Sequence, residues 1–210
     1  MSERMLESNM VVLVGRIAKE REFSHEIYGE GFYIYTIEIP RLSDACDILP
    51  LTISERLLVG LELGLGDYVK VEGQFRSYNK FIDGSNKLIL TVFARDIVRL
   101  DDDGGVKNPN QIYLDGFICK APIYRETPFG REITDLLIAV NRSYNKSDYI
   151  PSIAWGRNAR FSSKLEVGDN IRIWGRIQSR EYQKKYNDGS VVTRTAYEVS
   201  ISKMEKVDDK

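Results

Sequence analysis

Apolar and polar residues alternate along most of this chain, and turn-forming residues interrupt the alternation at short intervals. Toward the C-terminus, Ile112, Leu114 and Ile118 interleave with Tyr113, Asp115 and Phe117. Successive strand side chains point to opposite faces, so this period of two predicts a strand with one buried face. The same pattern predicts further strands over residues 132–142, 149–155, 170 to about 182, and 191–203. Asn187-Asp188-Gly189-Ser190 closes the last two into a hairpin. Only residues 158–165 suit a helix, between the third and fourth strands. Residues 54–63 hold its counterpart earlier in the chain, with Ser54 placed to cap it.

That counterpart reflects a repeat. Residues 9–19 (NMVVLVGRIAK) and 110–120 (NQIYLDGFICK) share one register, which Arg41/Arg142, Asp47/Asp148, Pro50/Pro151 and Arg56/Arg157 keep. Small insertions then bring Gly66-Asp67 onto Gly168-Asp169, Gly73 onto Gly175, and Asp83-Gly84-Ser85 onto Asp188-Gly189-Ser190. Length changes confined to the gaps between periodic segments mark a duplicated unit with variable loops. Five strands, a short helix between the third and fourth, and a glycine inside the fourth predict a five-stranded Greek-key barrel, the OB fold. The chain is therefore expected to be all-β, with two tandem OB folds. The expected boundaries are 1–100 for the first domain, 101–108 for an acidic, Gly-rich linker, and 109–206 for the second.

Charge separates the two copies. Residues 1–105 hold 12 Lys/Arg against 18 Asp/Glu, and residues 106–210 hold 18 against 13, so the total of −1 hides −6 and +5. The second copy is thus the expected seat of any polyanion. Two unrelated cysteines, Cys46 and Cys119, fit a reducing compartment, and the chain has no signal-peptide pattern and no apolar run near membrane-spanning length. A cytoplasmic location with no membrane partner is expected. No Cys/His cluster has metal-ligand spacing, no Gly-rich phosphate loop occurs, and no nucleophile–base pair stands out. No enzyme activity, metal or cofactor is expected. His25 reads as a surface residue in a polar loop, and Asp44 and Asp47 read as solvated loop carboxylates.

The fourth strand of the second copy carries the candidate chemistry. Ile171, Ile173, Gly175 and Ile177 alternate with Arg172, Trp174, Arg176, Gln178, Arg180 and Tyr182. Rings interleaved with arginines on a barrel face suit single-stranded nucleic acid, with bases stacked on the rings and guanidiniums against phosphates. For Trp174 the competing reading is packing against a loop or a neighbouring subunit. Tyr149, Pro151, Ile153 and Trp155 form a second outward set on the third strand, preceded by Arg142 and Tyr144 in the adjoining loop. Lys184 and Lys185, followed by Tyr186, stand at the tip of the hairpin. The first copy has Glu72 in the place of Trp174 and is expected to bind weakly or to serve assembly. A protein-interaction scaffold that turns the same rings toward a partner is the alternative, because protein interfaces also favour Tyr, Trp and Arg.

These residues resemble the bacterial single-stranded DNA-binding protein family. The resemblance runs through residues 110–120, Pro122, Tyr124, Arg125, Thr127-Pro128, Gly130, residues 139–142 and Asp148-Tyr149-Ile150. It continues through Ala154-Trp155-Gly156-Arg157, Gly168-Asp169 and residues 175–182, and more faintly through the first copy. It implies sequence-tolerant binding of single-stranded DNA in replication, recombination or repair. It also implies four OB domains per assembly, reached here by a homodimer. By motif position it assigns stacking to Tyr144, Tyr149, Trp155 and Tyr182, and Arg157 falls within the matched motif. Family members usually carry a flexible tail with an acidic tip that recruits replication and repair proteins, and Asp208-Asp209-Lys210 does not resemble it. Primosomal replication proteins, which also use similar OB folds, are a close cousin reading. The full set of expected nucleic-acid contacts is Arg142, Tyr144, Tyr149, Trp155, Arg157, Arg172, Trp174, Arg176, Arg180, Tyr182, Lys184 and Lys185.

Overall fold

The structure, a computed structural model, describes residues 8–82, 84–185 and 189–207. Asn187 and Asp188 of the expected turn, Tyr186 at the hairpin tip, and the last three residues lie outside the described residues. The first half contains β1 (Asn9–Ile27), β2 (Glu30–Pro40), β3 (Cys46–Ser54), a 3₁₀ turn (Glu55–Leu58), β4 (Tyr68–Ile82) and β5 (Ser85–Leu100). The second contains β6 (Asn110–Ile118), β7 (Ile123–Glu126), β8 (Glu132–Arg142), β9 (Lys146–Trp155), α1 (Arg157–Ser162), β10 (Asn170–Lys185) and β11 (Val191–Lys206).

Strand pairing closes on itself in each half. β1 pairs with β2, β2 with β3, β3 in parallel with β5, β5 with β4, and β4 with β1. In the second half the ring runs β6, β8, β9, β11, β10 and back to β6, again with one parallel contact, β9 to β11. A closed five-stranded barrel of this connectivity is the OB fold. Closure needs a corner, and each fourth strand supplies one. The ladders slip by one residue between Glu72 and Gly73 and between Trp174 and Gly175. A Cβ at Gly73 or Gly175 would collide with the carbonyl oxygen of Phe93 or Ser200, so the chains approach this closely only at glycine.

The sequence pattern and the observed elements differ in places. The helix of the second half ends at Ser162 rather than at residue 165, and its first-half counterpart is a single 3₁₀ turn. Ser54 does cap that turn, its hydroxyl accepting from the Arg56 amide at 3.1 Å. β7 has no counterpart in the alternation pattern, because all four of its residues are exposed and none marks a buried face. His25 is not in a loop. It lies in the long β1–β2 ribbon, with its ring stacked on Phe32 at 5.0 Å and 9°. Asp47 is not a solvated loop residue either, since it belongs to β3 and is buried. Ile153 is buried rather than outward-facing.

The two halves meet around an approximate two-fold axis. β1 and β6 pair antiparallel, with Val11 opposite Ile112, Met10 opposite Tyr113 and Val12 opposite Gln111. Val11 therefore faces its own repeat equivalent, and Met10 and Val12 each face the equivalent of the other. The pairing places β4, β1, β6 and β10 side by side in one sheet. The buried cores merge into one cluster, from Leu13, Ile37 and Phe75 to Leu114, Ile138 and Ile173.

A reciprocal polar joint secures the seam. Asp47 of the first half accepts from the Ser179 amide at 2.9 Å, and Asp148 of the second accepts from the Ser77 amide at 2.8 Å. The Ser179 hydroxyl accepts from the Ile48 amide at 2.9 Å, and that of Ser77 from the Tyr149 amide at 2.7 Å. Arg41 binds Asp47, and Arg142 lies 3.6 Å from Asp148. The joint on Asp47 is the fuller one, because Arg176 also reaches that carboxylate at 2.7 Å.

Candidate nucleic-acid interface

β9 alternates as its sequence suggests at the positions that matter for a site. Ile150, Ser152 and Ala154 enter the core, while the rings of Tyr149 and Trp155 remain exposed, at 45% and 38% of their full area. Rings grouped on the open side of a packed strand form the kind of apolar patch that marks a binding surface. Tyr144 sits in the turn before β9 at a positive φ of 63° and is almost wholly exposed. The left-handed backbone at Tyr144 and Asn145 turns that ring away from the barrel. Phe161 on α1, absent from the expected set, exposes its ring as well. Arg157 opens α1 and is exposed.

The distal part of β10 continues this surface. Tyr182 is exposed, and the Arg180 guanidinium lies 5.9 Å from the centre of its ring. Arg180 also stands 3.7 Å from Glu198, whose second contact is a 2.6 Å hydrogen bond from Gln178. Lys184 and Lys185 close the strand and are exposed.

The proximal part of β10 lies on the joined sheet. Trp174 packs its ring 5.2 Å from that of Tyr113, and the Lys203 ammonium sits 4.4 Å above it. These residues line a cavity of about 470 Å³ shared with Met10, Val12 and Arg172. Arg172 donates to Asp115 at 3.0 Å, and this hydrogen bond raises its pKa above the ordinary value. Arg176 and Arg142 serve the seam through Asp47 and Asp148. The twelve expected contacts thus divide by location. Tyr144, Tyr149, Trp155, Arg157, Arg180, Tyr182, Lys184 and Lys185 are exposed residues of the second half. Arg142 and Arg176 are seam residues, and Arg172 and Trp174 belong to the four-stranded sheet. The relation of Tyr113 and Lys203 to Trp174 is set by strand register and not by local sequence, so alternation alone does not reveal it.

The pattern of the single-strand binding protein family matches residues 109–207. Single-stranded DNA-binding protein B of Bacillus subtilis is 30% identical over 91 residues, spanning 40% of this chain and 80% of that protein. The chain belongs to the single-strand binding protein family. Among solved structures, the single-stranded DNA binding protein of Thermus aquaticus has the same fold. It aligns with a TM-score of 0.78 at 21% identity, covering 96% of this chain and 94% of that one. The N-terminal domain of PriB protein from Thermoanaerobacter tencongensis, solved as a dimer, is 52% identical over 46% of this chain and 100% of that chain, with a TM-score of 0.41. The chain spans about half the length of most of the longer curated family members it matches. Among the described residues, no helix is long and apolar enough to cross a membrane, and no three His, Cys, Asp or Glu side chains converge on a metal position.

Proposed function

We propose that this protein binds single-stranded DNA with little sequence preference, in the service of replication, recombination or repair, and that the second half is the principal binding domain. The observation that carries the reading is the uncovered pair Tyr149 and Trp155 on a strand whose alternate residues are fully packed. Bases stack on rings at ~1–3 kcal/mol each whatever their identity, which gives affinity without a sequence code. Tyr144 and Tyr182 extend the platform, and Arg157, Arg180, Lys184 and Lys185 neutralise the phosphates that accompany the stacked bases. A duplex keeps its ring faces stacked inside and offers this surface only its backbone.

The halves act as separate barrels, 1–100 and 109–206, joined by residues 101–108, and the working assembly is a homodimer of four barrels. The exposed face of β4, β1, β6 and β10 is the surface through which two chains meet. There Trp174, Tyr113 and Met10 gather half-buried apolar area around the internal two-fold. Trp174 then lies in a protein contact, and the stacking duty falls on Trp155.

Tryptophan fluorescence during titration with oligothymidylate, at two salt concentrations, tests the reading. Both tryptophans lie in the second half. Quenching that weakens steeply as salt rises is expected, because phosphate neutralisation releases counterions. A folded protein that shows no quenching and no retention of the oligonucleotide would sink the reading in favour of a protein-binding scaffold.

A further inference from the structure

The two joints of the seam use the same parts, and one of them holds more cation than those parts require. At Asp148 one ion pair among the described residues, from Arg142 at 3.6 Å, accompanies the Ser77 amide. At Asp47 both Arg41 and Arg176 bind the carboxylate. The repeat register gives the origin of the difference. Gly73 matches Gly175, so Gln74 stands in the first half where Arg176 stands in the second. One arginine suffices for such a joint, and Arg176 is additional to it.

Arg41 is also incompletely satisfied. A guanidinium has five N–H donors. Among the described residues, Arg41 spends only those of Nη2, on Asp47 and on the Ser179 carbonyl at 3.0 Å. Its Nε is buried and has no acceptor. Buried donors without a partner are rare in a packed interior, and a nearby ion or water is one cause of them.

Beside this joint lies a cavity of about 450 Å³. Residues 40–43 at the end of β2 form one wall, Arg176 of β10 a second, and residues 106–110 at the end of the linker a third. These walls are anchored. The Arg41 amide closes its turn on the Ala45 carbonyl at 3.0 Å, and the Pro109 carbonyl accepts from the Val14 amide at 2.7 Å. The Asn110 side chain accepts from the Ile177 amide at 2.9 Å and donates to the Ile177 carbonyl at 2.7 Å. Lys107 lines the cavity and makes no ion pair among the described residues. Three cations thus face one carboxylate, Asp47, which both arginines already share.

Cations gathered around a half-enclosed space repel one another, and an anion that enters relieves the repulsion. Planar guanidinium forks match pairs of oxygens on a tetrahedral anion, and an ammonium meets another as a point charge. No aromatic residue lines the cavity, so a base finds nothing to stack on. We propose that this cavity binds a small free oxyanion of the phosphate class, held by Arg41 and Arg176 from the two halves and by Lys107 from the linker. Bound there, the anion ties both barrels and their connection to one point and stabilises the seam. It needs no bound strand, so the site stands or falls separately from single-strand binding.

The test is NMR of the full chain during titration with sodium phosphate and, at matched ionic strength, with sodium chloride. The signals read are the Lys107 amide and the Nε–H groups of Arg41 and Arg176. Phosphate should shift all three along a saturating curve, whereas chloride supplies only screening. Lys107→Gln should weaken phosphate binding about threefold and Arg176→Gln about tenfold, with a thermal melt to show that each variant folds. Phosphate should also raise the melting temperature above that in chloride, and by less in Lys107→Gln. Tryptophan quenching by oligothymidylate should be the same in Lys107→Gln as in the parent. Shifts at these signals with oligothymidylate and none with phosphate overturn the site and return its cations to the strand. Equal shifts in phosphate and chloride overturn it too, as does a Lys107→Gln chain that binds phosphate like the parent.

Discussion

The two halves of this molecule share every closing strand pair and differ at the positions proposed to face a ligand. Where the second half has Trp155, the first has the capping Ser54. Where the second has Trp174 against Tyr113, the first has Glu72 against Val12, with Lys70 at 2.5 Å from that carboxylate. Further along the hairpin of the fourth and fifth strands the contrast reverses, with Arg76 and Thr91 in the acidic half against Gln178 and Glu198 in the basic one. Net charge per domain does not by itself say which cations are available to a phosphate. What counts is whether each cation already has a carboxylate partner, and the second half answers Arg172 and Arg180 with its own Asp115 and Glu198, while Arg176 is answered by Asp47 of the first half.

Several substitutions would break or sharpen this comparison. The largest effect is expected at the seam. Asp47→Ala removes a buried carboxylate that serves Arg41, Arg176 and the Ser179 amide, and should cost about 3 kcal/mol in urea unfolding, its arginines being part-exposed. Asp148→Ala should cost less, because its arginine stands at 3.6 Å. Equal losses would mean that the two joints are energetically alike despite their geometry. Gly73→Ala and Gly175→Ala should each cost about 2 kcal/mol, alike in both halves, since each drives a Cβ into a carbonyl oxygen. A difference between them would show that one barrel can relax its corner.

Ligand binding comes next in size. Trp155→Ala should weaken oligothymidylate binding by ~1–3 kcal/mol, measured by fluorescence anisotropy. Trp174→Ala should leave that affinity nearly unchanged and shift sedimentation toward the single chain. The opposite pattern would return Trp174 to the stacking surface. Glu198→Gln removes the carboxylate that answers Arg180 and should raise affinity a few-fold with a steeper salt dependence.

The smallest effect is a pH dependence. Burial holds the Asp148 carboxyl above its ordinary pKa. The folded state therefore binds this proton more tightly than the unfolded chain. The stabilisation is full below the unfolded pKa of about 4 and fades as pH rises through the raised folded value. Mild acidification should strengthen this seam, and Asp148→Asn should abolish the gain in urea titrations across pH.

Much of this was legible in the sequence, because period-two alternation records burial directly. β8 falls on the residues the alternation marks, and the corner glycines fall at the ladder slips. Short or two-sided exposed segments leave no such record. β7 has no buried residue, and the outer part of the β1–β2 ribbon, with His25, is open on both faces. Asp47 looked solvated because its partners, Arg176 and Ser179, lie more than a hundred residues away. The repeat did mark Arg41/Arg142 and Asp47/Asp148 as equivalent, yet only the pairing of β1 with β6 shows what the equivalence serves. The same holds for the cavity beside Arg76 and Phe93, whose walls come from β1, β3, β4, β5 and the far half.

The pairing of β1 with β6 has a further consequence. Two identical chains meeting around a true two-fold must present the same face twice, and every mutation falls on both sides at once. Here the partners are sewn into one polypeptide, so a substitution reaches one barrel and spares the other. Their association also does not depend on dilution, since residues 101–108 keep each barrel at a high effective concentration of its mate. Covalent linkage leaves each copy free to change on its own.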